Sequence, residues 1–170
     1  MTQGSRIAVV VAVLLVTAGC DQATKAVARS ALDGGLPLSV AANTVRFELV
    51  TNPGAFLSLG AALPENARHA LFLIAIPVLL AGVCALALRS GLRTPTALVG
   101  LGFVAGGGLA NWFDRVIHDG HVTDFVSIGI GSLRTGIFNL ADVMIFAGVG
   151  LILLASRRVD AEARTEPAAS

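Results

Sequence analysis

Formal charges cut this chain into long uncharged runs. Fourteen residues separate Arg6 from Asp21, twenty separate Arg68 from Arg89, twenty separate Arg93 from Asp114, and twenty-two separate Arg134 from Arg157, the last interrupted only by Asp142. A helix needs about 20 apolar residues to cross a hydrocarbon core. The last three runs qualify directly. The first reaches spanning length once residues 21–28 are added, which puts its final turns in the headgroup region. The spacing therefore predicts spans at 7–27, 68–88, 95–113 and 137–156, joined on the outer side by segments 28–67 and 114–136. Composition agrees, since only 14% of positions are charged, against about 25% in soluble domains. Disorder would need low hydrophobicity and high net charge, and the mean hydropathy here is +0.79. Twelve basic against eleven acidic residues, with no basic tract, exclude a nucleic-acid partner. The expected fold is an all-α integral membrane protein, a single domain over 1–158 followed by a disordered cytoplasmic tail at 159–170.

The first run has a rival reading. Residues 14–20, Leu-Leu-Val-Thr-Ala-Gly-Cys, resemble the end of a signal peptide with a lipid-modified cysteine. Against it, Thr17 stands where a leucine is expected three residues before Cys20, and three further spans follow. Cys20 and Cys84 both belong to apolar runs and form no disulfide framework.

In the first outer segment, Val45, Phe47 and Leu49 alternate with Thr44, Arg46 and Glu48, the period of a half-buried strand. Asn52-Pro53-Gly54 turns the chain, and residues 55–59 are expected to return as a second strand. Asp124 is expected on a loop of the second segment.

Polar residues at membrane depth are costly and mark function, and here they gather at one level. Asp21, Gln22, Thr24 and Lys25 lie at the outer end of span one. Asn111, Asp114 and Arg115 close span three on one helical face, and Asn139 and Asp142 share a face at the start of span four. Read singly, Gln22, Lys25 and Arg29 are helix-end side chains reaching for water, and Asp21 with Lys25 is an i, i+4 pair of modest worth. Asp142, counted as seven or eight residues into its span, needs a polar pocket. His118, Asp119, His121 and Asp124 have the composition of a zinc site, but a Gly-bearing loop gives no ligand geometry and no metal is assigned. Gly100, Gly102, Gly106, Gly107 and Gly108 allow close helix approach, with Gly107 and Gly108 also able to open space beside the pocket.

Five blocks in order resemble the lipoprotein signal peptidases (signal peptidase II), four-span bacterial aspartic peptidases. They are Asp21-Gln22-Ala23-Thr24-Lys25, Asn52-Pro53-Gly54-Ala55-Phe56, Gly107-Gly108-Leu109-Ala110-Asn111-Trp112-Phe113-Asp114-Arg115, Val122-Thr123-Asp124-Phe125 and Phe138-Asn139-Leu140-Ala141-Asp142. The resemblance implies catalytic Asp124 and Asp142, with Asp21, Lys25, Asn52, Gly54, Asn111, Asp114, Arg115 and Asn139 shaping the site or touching substrate. It implies a small extracytoplasmic β-sheet cradle, a short periplasmic helix over the site, and no cofactor. The implied partners are membrane lipid and prolipoproteins carrying a diacylglyceryl-cysteine. The implied place is the bacterial cytoplasmic membrane, as a multi-pass monomer with its site at the extracytoplasmic face. The segment 116–121 is slightly longer than the family's usual spacing.

Paired aspartates suit peptide hydrolysis because one takes water's proton while the other polarises the carbonyl. Two carboxylates about 4 Å apart at an effective dielectric near 20 repel by roughly 4 kcal/mol, or about 3 pKa units. The pair therefore stays near singly protonated. Arg115 is expected to satisfy Asp114 or a lipid phosphate. Three other classes compete. A proton-coupled transporter relaying through Asp21 and Asp142 would need charges through the depth of its spans, which residues 71–88 and 94–113 lack. The others are a structural lipoprotein modified at Cys20, which would lose the Met1 region, and a zinc hydrolase using His118, His121 and Asp124.

Arg6, Arg89, Arg93 and Arg157 beside short apolar runs put both termini and the loop 89–94 in the cytoplasm. Reporter fusions after Arg93 and after Asp119 should accordingly give opposite compartment signals; identical signals would refute a four-span topology.

Overall fold

Span one is a single unbroken helix in the computed structural model, which describes residues 1–55, 60–89 and 94–165. Helix α1 (Gln3–Leu32) opens on a Thr2 cap, whose hydroxyl accepts the Ser5 N–H, and runs straight through Cys20. Strands β1 (Leu38–Val40) and β2 (Val45–Asn52) follow. The second span is built in three pieces: α2 (Glu65–His69), a wide π-type turn at Ala70–Ala75, and α3 (Ile76–Arg89). Helix α4 (Pro95–Ile117) starts from a Thr94 cap with proline in its first turn. Strands β3 (Val122–Ile130) and β4 (Leu133–Arg134) lead into α5 (Leu140–Thr165).

Four helices are long and apolar enough to cross a membrane: Gln3–Leu32, Glu65–Arg89, Pro95–Ile117 and Leu140–Arg157. Their flanks carry side chains that water would not tolerate in such numbers, among them Val78 at 68%, Leu79 at 66% and Leu86 at 68% exposure. A contiguous apolar surface of that kind needs lipid against it.

Helix α4 is the centre of the bundle, and its glycines explain why. A β-carbon at Gly102 or Gly106 would collide with Val13 or with the Leu14 carbonyl of α1. One at Gly100 would lie 2.7 Å from the Gly148 carbonyl of α5, and one at Gly107 would lie 2.6 Å from the Ala141 carbonyl. Two glycine pairs thus let α1 and α5 touch α4 backbone to backbone. Gly108 faces Leu80 of α3 instead. At the other end of the bundle, Arg6 donates to the Leu88 carbonyl at 2.8 Å and ties the start of α1 to the end of the second span.

The break in the second span has a local cause. Pro77 has no N–H to offer the Leu73 carbonyl one turn back. The indole N–H of Trp112 on α4 donates to that carbonyl at 3.2 Å.

The four strands form one antiparallel sheet in the order β1-β2-β3-β4; a small sheet beside four apolar helices agrees with the expected cradle, and the label all-α holds for the spans alone. Leu38, Phe47 and Val126 pair across it, as do Val40, Val45 and Ile128, and these residues share one apolar face. Ser39, Arg46 and Ser127 pair on the other. The sheet caps the end of the bundle where α1 and α4 finish and α2 and α5 begin. The predicted strand at 43–50 is β2, while the return strand expected at 55–59 falls largely on residues outside those described. Strand β2 pairs instead with β1 and β3. Among the described residues, no separate short helix stands between β2 and the second span. Helix α5 continues to Thr165, into the tail expected to be disordered, where residues 161–164 (Ala-Glu-Ala-Arg) are good helix formers.

Overpacking a close helix contact costs about 1–3 kcal/mol. Gly100→Val should therefore lower the thermal unfolding midpoint in detergent. Gly82→Val, at a position with open space beside it, should leave it within error.

Candidate active site

The polar residues picked out on α1, α4 and α5 meet one another and the sheet in a single buried network. Lys25 is its hub, with side-chain exposure of 0%. Its ammonium donates to Asp21 Oδ2 at 2.7 Å, Asp114 Oδ2 at 2.9 Å and Asn111 Oδ1 at 3.0 Å. The expectation that Lys25 reaches for water is thus corrected, and its pairing with Asp21 is a buried one. Gln22 also turns inward, donating to Asp114 Oδ1 at 2.9 Å and to the Ala110 carbonyl. Gln22 and Arg29 both keep partial exposure, and Arg29 donates to the Thr123 hydroxyl at 2.8 Å.

The two carboxylates on Lys25 each hold a further element. Asp114 accepts the backbone N–H of Thr123, the residue before Asp124. Asp21 accepts the N–H of Ala141 at 2.7 Å, the residue before Asp142. A carboxylate at a helix start is stabilised by the unpaired N–H groups and by the helix dipole.

Asn139 is the N-cap of α5. Its Oδ1 accepts the Asp142 N–H at 3.0 Å, and Asp142 Oδ2 accepts the Asn139 N–H at 3.2 Å, a reciprocal capping box. Asp142 therefore lies in the first turn of its helix, rather than seven or eight residues in. The Asn139 amide nitrogen then reaches Asp124 Oδ1 at 2.6 Å and Asn111 Oδ1 at 3.1 Å. Asn111 in turn donates to Asp142 Oδ1 at 3.0 Å. One asparagine thus touches both aspartates.

Asp124 stands on β3, not on a loop. It occupies the face that carries Val122, Val126 and Ile128, within an otherwise apolar row. Its strand is fixed to the α5 entry by mutual backbone bonds between Val126 and Phe138. Its second oxygen accepts from Asn52 Nδ2 at 2.7 Å, and Asn52 also holds the turn by accepting the Gly54 N–H. Burial, reinforced by the nearby Asp142 carboxylate, pushes Asp124 up to about 6, although hydrogen bonds from Asn52 and Asn139 pull it down.

Arg115 does not take the ion pair with Asp114, which goes to Lys25 instead. It donates to the Gly54 and Asn111 carbonyls and lies over the Phe72 ring, 4.7 Å from its centroid. Arg115, Asn111, Asp124, Asn139 and Asp142 form the polar rim of a cavity of about 550 Å³. Its remaining wall is apolar, with Leu80, Ala81 and Cys84 from α3, Ala105 and Gly108 from α4, and Ile145 and Phe146 from α5. A few convergent polar groups over an apolar pocket describe a binding site.

Of the ten residues expected at the site, Asn52, Gly54, Asn111, Arg115, Asp124, Asn139 and Asp142 line the cavity, and Asp21, Lys25 and Asp114 stand behind it, joined to it through Asn111. His118 and His121 do neither, since their rings bond to the Asp114 and His118 carbonyls. Among the described residues, no group of three or more His, Cys, Asp or Glu side chains could hold a metal. Sequence reasoning missed Thr123 and Ala141, whose contribution is a backbone N–H. It also missed β3, although Val122, Asp124, Val126, Ile128 and Ile130 alternate with Thr123, Ser127 and Gly129.

Four helices able to span a membrane, a small antiparallel sheet at one end and an apolar cavity with a polar edge define a class, that of membrane proteins with an internal binding site. The family described as signal peptidase (SPase) II matches residues 11–158, and the chain belongs to that family. It is 35% identical over 153 residues to a lipoprotein signal peptidase of Rhodococcus jostii (strain RHA1), covering 86% of this chain and 69% of that one. A lipoprotein signal peptidase of Bifidobacterium longum (strain DJO10A) is 35% identical over 158 residues, covering 88% and 79%. One of Mycobacterium tuberculosis (strain ATCC 25618 / H37Rv) is 33% identical over 156 residues, covering 89% and 72%. The fold is similar to a structure described as a bacterial membrane enzyme, with a TM-score of 0.75 at 24% identity over 97% of this chain and 94% of that one.

Asp124 also makes a pH prediction. Its folded-state value is raised from 3.8 to about 6, so between those values the folded state binds more protons than the unfolded one. Its contribution to stability is full below about pH 4 and is lost as pH rises through about 6, at a slope of at most roughly 1.4 kcal/mol per unit. Unfolding midpoints of the wild type in detergent should fall over this window relative to Asp124→Asn; parallel curves would show the premise to be wrong.

Proposed function

We propose that this chain is an aspartic endopeptidase that removes signal peptides from prolipoproteins, cutting before a diacylglyceryl-modified cysteine. Asp124 and Asp142 are its catalytic pair. The observation that carries this reading is Asn139 holding both aspartates at the polar rim of an apolar cavity. Family membership supports the substrate class. The enzyme acts as a monomer in the bacterial cytoplasmic membrane, with its site at the extracytoplasmic face and no metal or cofactor.

The chemistry follows from the two environments. Asp142, at the start of α5 and accepting from Asn111 and the Asn139 N–H, is the ionised partner. Asp124, raised by burial, holds the shared proton and donates it to the scissile carbonyl oxygen. Asp142 takes a proton from water as the water oxygen bonds to the carbonyl carbon. Collapse of the tetrahedral intermediate breaks the C–N bond, the leaving amine takes a proton from Asp142, and the carbonyl oxygen returns its proton to Asp124. Water is thereby split between the two products and the pair is reset. The apolar wall below receives the lipid-bearing, membrane-embedded part of the substrate.

Purified protein in detergent should cleave a diacylglyceryl-modified prolipoprotein and leave the unmodified precursor intact. Asp124→Asn and Asp142→Asn should each cut turnover by 10² or more, on the order of a general acid–base contribution, with the protein still folded. Asp119→Asn, and His118→Ala with His121→Ala, should retain most activity. Loss of activity to a chelator, with Asp142→Asn still active, would replace the aspartic mechanism by a metal one.

A further inference from the structure

The Asn111 side chain lies between a cation and an anion, and only one of its two amide orientations is compatible with both. Its oxygen faces the Lys25 ammonium at 3.0 Å and the Asn139 amide nitrogen at 3.1 Å. Its nitrogen faces Asp142 Oδ1 at 3.0 Å. An ammonium has three donors and no acceptor. Turning the amide over would set its N–H groups against Lys25 and Asn139, and its oxygen against a carboxylate oxygen. Lys25 therefore dictates the donor that Asp142 receives, although the ammonium and the carboxylate share no hydrogen bond. The same ammonium fixes Asp21, whose other oxygen accepts the Ala141 N–H and anchors the turn that carries Asp142.

We infer that Lys25 is a positioning residue for the reaction. It locks the Asn111 amide and the first turn of α5 so that Asp142 is held, hydrogen-bonded and ionised, as the acceptor of water's proton. The inference rests on the reading of Asp124 and Asp142 as the catalytic pair. The charged groups around Asp142 are Lys25 and Asp21 of α1, Asp114 and Arg115 of α4, and Asp124 of β3. Lys25 is the cation bonded to the Asn111 side-chain amide, the group that in turn bonds Asp142, whereas Arg115 reaches only the Asn111 backbone. Arg115 is committed to the Gly54 and Asn111 carbonyls. Nor does Lys25 line the cavity, so removing it should slow the reaction without weakening substrate binding.

The test is a split of kcat from KM. Lys25→Met alone would add a full uncompensated negative charge to the buried cluster of Asp21 and Asp114, so the informative protein is Lys25→Met combined with Asp114→Asn, which keeps the cluster's net charge and is read against Asp114→Asn alone. A second variant, Lys25→Gln, keeps a neutral donor toward Asn111. Each is assayed as full-length protein in detergent on a diacylglyceryl-modified prolipoprotein, with an unfolding curve for each and binding of a non-hydrolysable analogue of that substrate. In the double variant kcat should fall roughly ten- to a hundredfold, the range for losing a hydrogen bond to a charged group. KM and analogue binding should stay within about threefold, and Lys25→Gln should recover part of kcat. An unchanged kcat, a loss confined to KM or binding, or failure of both variants to fold would overturn the inference. Asp142→Asn run alongside separates the two readings. If that protein still turns over, the catalytic pair itself is wrong; if it is inactive while the Lys25 variants keep kcat, only the role of Lys25 is wrong.

Discussion

A lysine ammonium buried without water needs every one of its donors met, and this structure is arranged around meeting them. Two of the three acceptors are carboxylates, and each of those carboxylates reaches onward to a backbone N–H. Through Asp114 the charge holds Thr123 and hence the strand that presents Asp124. Through Asp21 it holds Ala141 and hence the helix that presents Asp142. The third acceptor, Asn111, faces Asp142 directly. Breaking such a buried pair by removing one partner typically costs about 3–5 kcal/mol, because the other charge is left stranded. Here it would also release both aspartates from their supports. Stability and the placement of the two aspartates are thus maintained by the same contacts.

That arrangement requires α1, α4 and α5 to lie closer than ordinary side chains permit. The glycines of α4 supply the approach, facing α1 at Gly102 and Gly106 and α5 at Gly100 and Gly107. With backbones in contact, short side chains such as Asp21 and Asn139 can bridge between elements. The second span meets α4 through side chains instead, with Leu80 against Gly108 and the Trp112 indole on the Leu73 carbonyl, and the cavity is lined by both helices together with α5.

The spans were legible because charge spacing against a bilayer's thickness is a coarse signal that tolerates errors of several residues. The site residues were legible because polar side chains at membrane depth stand out, and because the family blocks bracket them. What was not legible was how those residues partner. Periodicity puts Asn111, Asp114 and Arg115 on one face, but it does not say that Arg115 turns to carbonyls and Phe72 while Asp114 takes Lys25. Nor does it separate a lysine reaching for water from one enclosed by three acceptors, since that depends on which helix packs on which. The position of Asp142 was misjudged for a different reason. Counting from Arg134 ignored that Asn139 and Asp142 have the spacing of a capping box, which sets the helix start at Leu140. Strand β3 was not legible because Asp124 interrupts its apolar row and Phe125 its polar one, which breaks the alternation where the strand begins.

The wide turn and proline in the second span bear on the shape of the enzyme's interior. In hydrocarbon, a bare carbonyl costs several kcal/mol, so a helix cannot ordinarily interrupt its own ladder there. At Leu73 the missing bond is made by an indole belonging to a different helix. The proline and the wide turn are thereby accommodated in the same wall that lines the cavity with Ile76, Pro77 and Leu80. The backbone polarity a proline uncovers is met by protein, so an apolar guest at this wall finds side chains and not an open carbonyl.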